Sequence, residues 1–373
     1  MREPTLPHIT IVAPHVTKSG GGQALHAADL SDHLRRDGYS VHLLPIDPDF
    51  PPGARWVRRV PYLRTLLNQS LYVPSLLTLR RTDIVHVSSA SYWSFLLAPL
   101  PAMIIGRLLG KPVILNYHSG EAADHLGRWG VLVHPWLSLA DEIVVPSEYL
   151  RQVFKSHGYC TRVIHNTVDT SRFVYRVRDP LRPRLLSTRN FEWYYGVDHT
   201  LRAFKLIQRT FPNATLEIAG AGSRERDLHA LARSLKLTGV HFLGPVAPSD
   251  VPALHERADI LMNSALIDNQ PLSILEAMAS GMPVVSTNVG DVGNMIEHGV
   301  SGTIVPQKDP AAMAAAVVFL LKYPDAARAM ASRAVERLGR YSWNRVGCQW
   351  SDLYSDVMQQ RPNERPRGIR HAA

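Results

Sequence analysis

The sequence predicts an α/β chain of two Rossmann-like domains facing each other across a cleft. Short apolar runs bounded by turn residues alternate with helical stretches twice over, from residue 9 and again from residue 184, with no eightfold barrel repeat. The 373 residues suffice for two domains of ordinary size, each with its own core. A loop, helix and strand over 268–287 form the stretch around which the rest is organised.

The first series opens with a strand over 9–13, a loop over 14–22, a helix over 23–36 and a strand over 40–44. Its first turn holds Ser19-Gly20-Gly21-Gly22, which is neither a dinucleotide fingerprint nor a Walker loop but lets a ligand approach the backbone closely. Residues 83–88 and 112–117 read as buried strands. The second delivers Asn116-Tyr117-His118-Ser119-Gly120 at its C-terminal end, where ligands of open α/β sheets bind. The apolar segment 95–109, interrupted by Pro99, Pro101 and Arg107, is too short for a bilayer span and reads as one buried helix. A strand over 141–146, a helix to about His157 and a strand over 162–165 lead to the turn Asn166-Thr167-Val168-Asp169.

Residues 174–184 are rich in Arg and Pro without an apolar period, which predicts a linker. The second series follows: strand 184–188 with Arg189 next, helix 197–209, strand 215–219, the turn Gly220-Ala221-Gly222-Ser223, helix 224–235, strand 240–242 and helix 248–257. Helices over 309–321, 325–337 and 342–358 end the ordered chain, and 361–373 read as a disordered basic tail.

In the central stretch, Pro271 suits the first position of a helix, Gly281 the position just past its end, and Pro283 stops it before a strand over 283–287. The helix start offers backbone N–H groups to an anion, and Glu276 is placed nearly two turns further in. A carboxylate beside an anion cradle suits a phosphorylated sugar donor. On residues alone, Glu276 reads equally well as an ordinary helix carboxylate.

This stretch resembles the E-x7-E region of retaining GT-B glycosyltransferases, the family 4 or group 1 type that includes glycogen and sucrose synthases. The resemblance implies that Glu276 holds the ribose of the donor nucleotide. It places the first acid against the transferred sugar; here that acid is Asp268, so the pattern is D-x7-E. It further implies that Gly21 and Gly22 contact the donor phosphate or sugar, that His118 touches the donor sugar, and that Asn269, Gln270, Pro271, Leu272 and Ser273 line the donor with Glu276. Arg189 becomes the cation for the leaving diphosphate. The chain departs from the family at Tyr195, which stands where a lysine before a glycine is expected; either the N–H groups over 270–273 or a basic residue from elsewhere takes that role. The implied organisation is a first, acceptor-side domain over 1–173, a linker over 174–184, a donor domain over 185–341 and a helix over 342–360 that crosses back to the first domain.

Composition bounds the rest. Hydrophobic content of 45% and charged content of 20% fit a soluble globular protein. Cys160 and Cys348 give no disulfide framework or metal spacing, and no secretory signal opens the chain, so a cytoplasmic home is expected. Asp47-Pro48-Asp49 has the D-x-D form of a metal-dependent transferase but lies in a proline-rich loop far from the other candidates, so no metal is expected. The net charge is +9, with basic clusters in the tail and over 55–64; no nucleic-acid signature accompanies them. The cluster of Arg55, Trp56, Arg58, Arg59, Tyr62 and Arg64 suggests a peripheral contact with an anionic membrane or a lipid-linked acceptor, against a solvated loop with Trp56 buried.

The expected function is retaining, metal-independent transfer of a hexosyl or related group from a nucleoside diphosphate sugar to a hydroxyl of a glycan, a lipid-linked sugar or a small molecule. A nucleotide-sugar epimerase of the same fold and a non-catalytic nucleotide-sugar-binding module are the alternatives.

Overall fold

The structure, a computed structural model, describes residues 6–15 and 22–359. Gly21 and the expected tail over 361–373 lie outside the described residues. The chain divides into two compact units, one made of Met1–Thr167 with Trp343–Ala373, the other of Val168–Ser342.

The first unit is a six-stranded parallel sheet of β1 (His8–Ala13), β2 (Ser40–Pro45), β3 (Ile84–Ser89), β4 (Val113–Tyr117), β5 (Glu142–Val145) and β6 (Arg162–Val163). The order β2-β1-β3-β4-β5-β6 means that the chain steps out to β2 and returns past β1, which makes a switch point between β1 and β3. β3 and β4 are buried at every position, as expected where helices cover both faces of a parallel sheet.

Two helices of this unit are α1 (Gly22–Arg36) and α2 (Pro61–Ser75). The apolar run 95–109 is two helices rather than one, Trp93–Leu97 and Pro99–Leu108. Pro99 has no N–H to continue the ladder and disfavours the helical conformation at Ala98, whose φ of −125° and ψ of −62° mark the break.

The second unit repeats the plan with β7 (Arg184–Thr188), β8 (Thr215–Ala219), β9 (Val240–Gly244), β10 (Ile260–Asn263), β11 (Val284–Thr287) and β12 (Thr303–Val305), all parallel, in the order β12-β11-β10-β7-β8-β9. The chain runs outward from β7 to β9, then returns to lay β10 beside β7. β10 and β12 were not expected from the sequence. The helices that bear on the site are α3 (Val197–Thr210), α4 (Val251–Arg257) and α5 (Leu272–Ala279).

The expected linker over 174–184 is built into this unit. Arg178 is buried, and its guanidinium donates to the carbonyls of Arg176, His255, Ala258 and Ser280. Arg176 and Arg184 both bond the buried carboxylate of Asp259, at 3.1 and 2.5 Å. Arginine donors capping backbone carbonyls need no apolar period, which is why the composition resembled a linker.

The last helix, α6 (Trp343–Gln359), belongs to the first unit, as the resemblance implied. Val346, Trp350, Leu353, Tyr354 and Val357 recur at helical spacing and pack on Ile9, Ile11, Ile84, Ile114 and Val144 of the sheet. No helix among the described residues is long and apolar enough to cross a membrane.

Candidate active site

In an open α/β sheet the ligand crevice lies beyond the C-terminal strand ends where the strand order reverses. In the second unit that place is between β7 and β10. Arg189 leaves the end of β7 and donates from Nε to Oδ1 of Asn263, the last residue of β10, at 2.9 Å. Asn263 in turn donates to Ser286 on β11, also at 2.9 Å. The far side of the guanidinium is 2.8 Å from Oδ2 of Asp268, with both side chains nearly buried, and lies 5.3 Å from the centre of the Tyr195 ring.

The loops that carry these residues are fastened to each other. The Tyr194 carbonyl accepts from the N–H groups of Leu266 and Ile267, and Ser264 Oγ donates to the Gly196 carbonyl at 2.7 Å. Gly196 has a φ of +60°, and a β-carbon there would lie 2.3 Å from the Ser264 carbonyl oxygen, so no other residue fits. The Asp291 N–H reaches the Asn269 carbonyl at 2.8 Å. Arg189 thereby holds Asp268 and Asp291 holds Asn269, and Asn269 and Gln270 are buried.

α5 begins at Leu272, one residue later than expected, with Pro271 as its N-cap. Its end is closed by Gly281 and Met282, whose N–H groups bond the carbonyls of Met278 and Ala277. Ser273 is buried in the first turn, and Glu276 lies in the second turn with 23% of its side chain exposed. Burial pushes the Glu276 carboxyl up to about 7, while Arg172 and Arg189 pull it back. A carboxylate so perturbed beside a strand-order reversal differs from an ordinary helix carboxylate and is a functional-site candidate.

Arg172 is a basic residue that acts on Glu276 from elsewhere in the chain. It ends the short turn Thr170–Arg172, is anchored by donating to the Pro248 carbonyl, and acts on Glu276 as a second positive charge. The sequence offered no signal for it, because only the tertiary fold brings it near Glu276. His255 on α4 was missed for the same reason, and its Nε2 lies 3.8 Å from Glu276 Oε2.

In the first unit, His118 follows β4 directly, its ring 4.7 Å from that of His26 on α1. Burial holds His118 well below the usual histidine value, His26 at about 4 and His86 at about 3, so these rings are neutral near pH 7. Gly22 is the first residue of α1, and a β-carbon there would meet nothing within 4 Å among the described residues. Asp47 accepts from the His15 N–H at 2.8 Å and Asp49 lies 3.7 Å from Arg58, so both acids of the D-x-D run brace loops. Among the described residues, no group of three or more His, Cys, Asp or Glu is placed to hold a metal ion.

Residues 176–337 match the family model of glycosyl transferases group 1, and residues 20–172 match that of glycosyltransferase family 4. The chain is a group 1, family 4 glycosyltransferase. This glycosyltransferase is similar to glycogen synthase of Mycobacterium tuberculosis, with 29% identity over 304 residues, 77% of this chain and 72% of the relative. Among solved structures it resembles sucrose-phosphate synthase from Thermosynechococcus elongatus, with a TM-score of 0.75 at 18% identity, over 94% of this chain and 99% of the other. HepE of Anabaena, solved in complex with UDP-glucose, has a TM-score of 0.75 at 19% identity, over 94% and 100% of the two chains. The glycosyltransferase thus has the GT-B type of fold, with two parallel six-stranded sheets.

Proposed function

We propose that this glycosyltransferase moves a sugar from a nucleoside diphosphate sugar to an acceptor hydroxyl with retention at the anomeric carbon and without a metal ion. The observation that carries the proposal is the fixing of Arg189 at the strand-order reversal by Asn263 and Asp268, with α5 and the perturbed Glu276 in the same unit. Negative charge grows on the diphosphate as the C1–O bond to it breaks. Arg189, Arg172 and the N–H groups over 270–273 meet that charge. Glu276 accepts the ribose hydroxyls, and Asp268 orients Arg189 and lies against the transferred sugar. The neutral His118 offers the donor sugar a hydrogen bond rather than a charge. The departing phosphate oxygen takes the acceptor proton as the new C1–O bond forms on the same face. The likeness to HepE, solved with UDP-glucose, supports this donor class.

Incubation with a panel of nucleotide sugars and acceptors tests the proposal. Nucleotide should be released only when acceptor is present, the product should keep the donor's anomeric configuration by NMR, and excess EDTA should leave the rate unchanged. An inverted product overturns the mechanism. The family match favours transfer over the epimerase and the binding module; a changed sugar without acceptor would reinstate the first, and tight binding without turnover the second.

A glycan or lipid-linked acceptor presented at an anionic membrane completes the proposal. Residues 50–81 hold six arginines and no acid. They form the turn Pro52–Arg59 and α2, with Trp56 60% exposed, Tyr62 92% and Leu66 68%. Trp56 is therefore not the buried anchor of a solvated loop. Each basic residue at an anionic surface contributes on the order of 1 kcal/mol, screened by salt. Sedimentation with anionic vesicles at low salt, lost at high salt and absent with neutral vesicles, is expected; equal partitioning to both, or to neither, removes the membrane contact.

A further inference from the structure

His255 is wholly buried on α4, and among the described residues neither of its ring nitrogens has a hydrogen-bond partner. Buried polar atoms without partners are rare and costly, so this one calls for an explanation. The ring is not loosely held: Phe173 packs against it edge-on at 5.4 Å, and Arg178 fixes the His255 carbonyl at 2.9 Å. Among the described residues, the ionisable side chain in salt-bridge range of its ring is Glu276 on α5, with Nε2 and Oε2 3.8 Å apart.

We propose that His255 is a positioning residue that donates from Nε2–H to the Glu276 carboxylate and holds it in the orientation that accepts the donor's ribose hydroxyls. This rests on the ribose role proposed for Glu276. Hydrogen bonds of a binding site shorten when the substrate is held, and Nε2 and Oε2 at 3.8 Å are one side-chain rotation from hydrogen-bond range. Burial lowers His255 to about 4, so the ring is neutral near pH 7 and brings one N–H without a second charge. Burial pushes Glu276 up to about 7, yet an acceptor of two hydroxyls works best ionised. Arg172 and Arg189 favour the anion on one side, and the His255 N–H favours it from α4; Arg178 is the cation whose field reaches His255.

The test is calorimetry with UDP, GDP and ADP on the full chain between pH 5.5 and 8.5, followed by variants measured with whichever binds tightest. His255→Phe, which keeps the shape and removes the donor, should weaken binding roughly 10-fold or more, as expected for a hydrogen bond to a charged group. It should also move the acidic midpoint of binding upward, because the carboxylate loses a stabilising donor. His255→Gln keeps an N–H and should restore both affinity and midpoint. If His255→Phe fails to fold, His255→Asn, whose amide is too short to reach Glu276, should show the same loss. In Glu276→Ala the His255 substitutions should have no further effect, so the two changes are non-additive. Folded His255→Phe or His255→Asn with wild-type affinity and midpoint overturns the positioning role alone. Unchanged affinity in Glu276→Ala, or no binding of any nucleotide by the wild type, overturns the ribose assignment and this proposal with it.

Discussion

Both units have six parallel strands and one reversal of strand order, yet they gather different titratable groups: neutral rings in one, ionised side chains of both signs in the other. The first gathers His26, His86 and His118 as buried neutral rings, with His86 also bonded to Tyr354 of α6 and to Asn116 of β4. The second gathers Arg189, Asp268 and Glu276, with Arg172 acting on the last. The scaffold is common and the loops are not, so the strand plan fixes where a ligand can lie and the loop residues decide its charge.

The sharpest way to break this contrast is to remove the central charge. Arg189→Gln should lower kcat by roughly 10²–10³-fold, the cost of losing one fixed stabiliser of developing charge, with the fold retained by circular dichroism. A smaller loss would move the electrostatic work to Arg172 and the start of α5. His118→Ala should lower kcat by roughly 10-fold, the order of one neutral hydrogen bond, with nucleotide affinity nearly unchanged; an equal loss in both would make it a donor-binding group like Glu276.

Acid should act through the neutral rings. His26 and His86 have folded values of about 4 and 3, below that of the unfolded chain, so the unfolded chain takes up protons first. Their contribution is complete above about pH 6.5 and is lost as pH falls, at roughly 1.4 kcal/mol per pH unit per histidine. Chemical denaturation at pH 7, 6 and 5 should show that decline, and a flat profile would mean that the rings are hydrated.

Glu276 has the opposite sign. Its folded value lies above that of the unfolded chain, so its contribution is complete below about pH 4.5 and is lost as pH rises through about 7. Glu276→Gln should therefore raise the melting temperature at pH 8 by a few degrees and leave it unchanged at pH 4. No gain at pH 8 would mean that Arg172 and Arg189 already offset the burial of the charge.

The strands of both sheets were largely legible, because buried parallel strands read as continuous apolar runs. β10 and β12 were not: Ile260–Asn263 lies between a helix and a loop-rich motif that drew the reading past it, and Thr303–Val305 is three residues long. β10 supplies Asn263, so the partner that fixes Arg189 went unread with it. Pro99 announced a break that the apolar run around it concealed. Asp268 and Glu276 were singled out through the resemblance of one local stretch, whereas Arg172 and His255 come to Glu276 through a turn and a helix remote in the chain. Short motifs carry the residues of one loop; the residues that tune them arrive by packing.

The return of α6 to the first unit has a consequence for biosynthesis. Domains ordinarily fold in the order in which they leave the ribosome. Here the second unit is contiguous, Val168–Ser342, and has all its residues while the first unit still waits for its last helix. Until Trp350 and Tyr354 emerge, Ile9, Ile11, Ile84 and Ile114 have only Ala27, Leu30 and Leu34 of α1 and Tyr39 as cover on that face, without the aromatic side chains of α6. The domain that is translated first is completed last, and a nascent chain stopped at Ser342 would show chaperones the part of the sheet that α6 covers while the second unit already has all its residues.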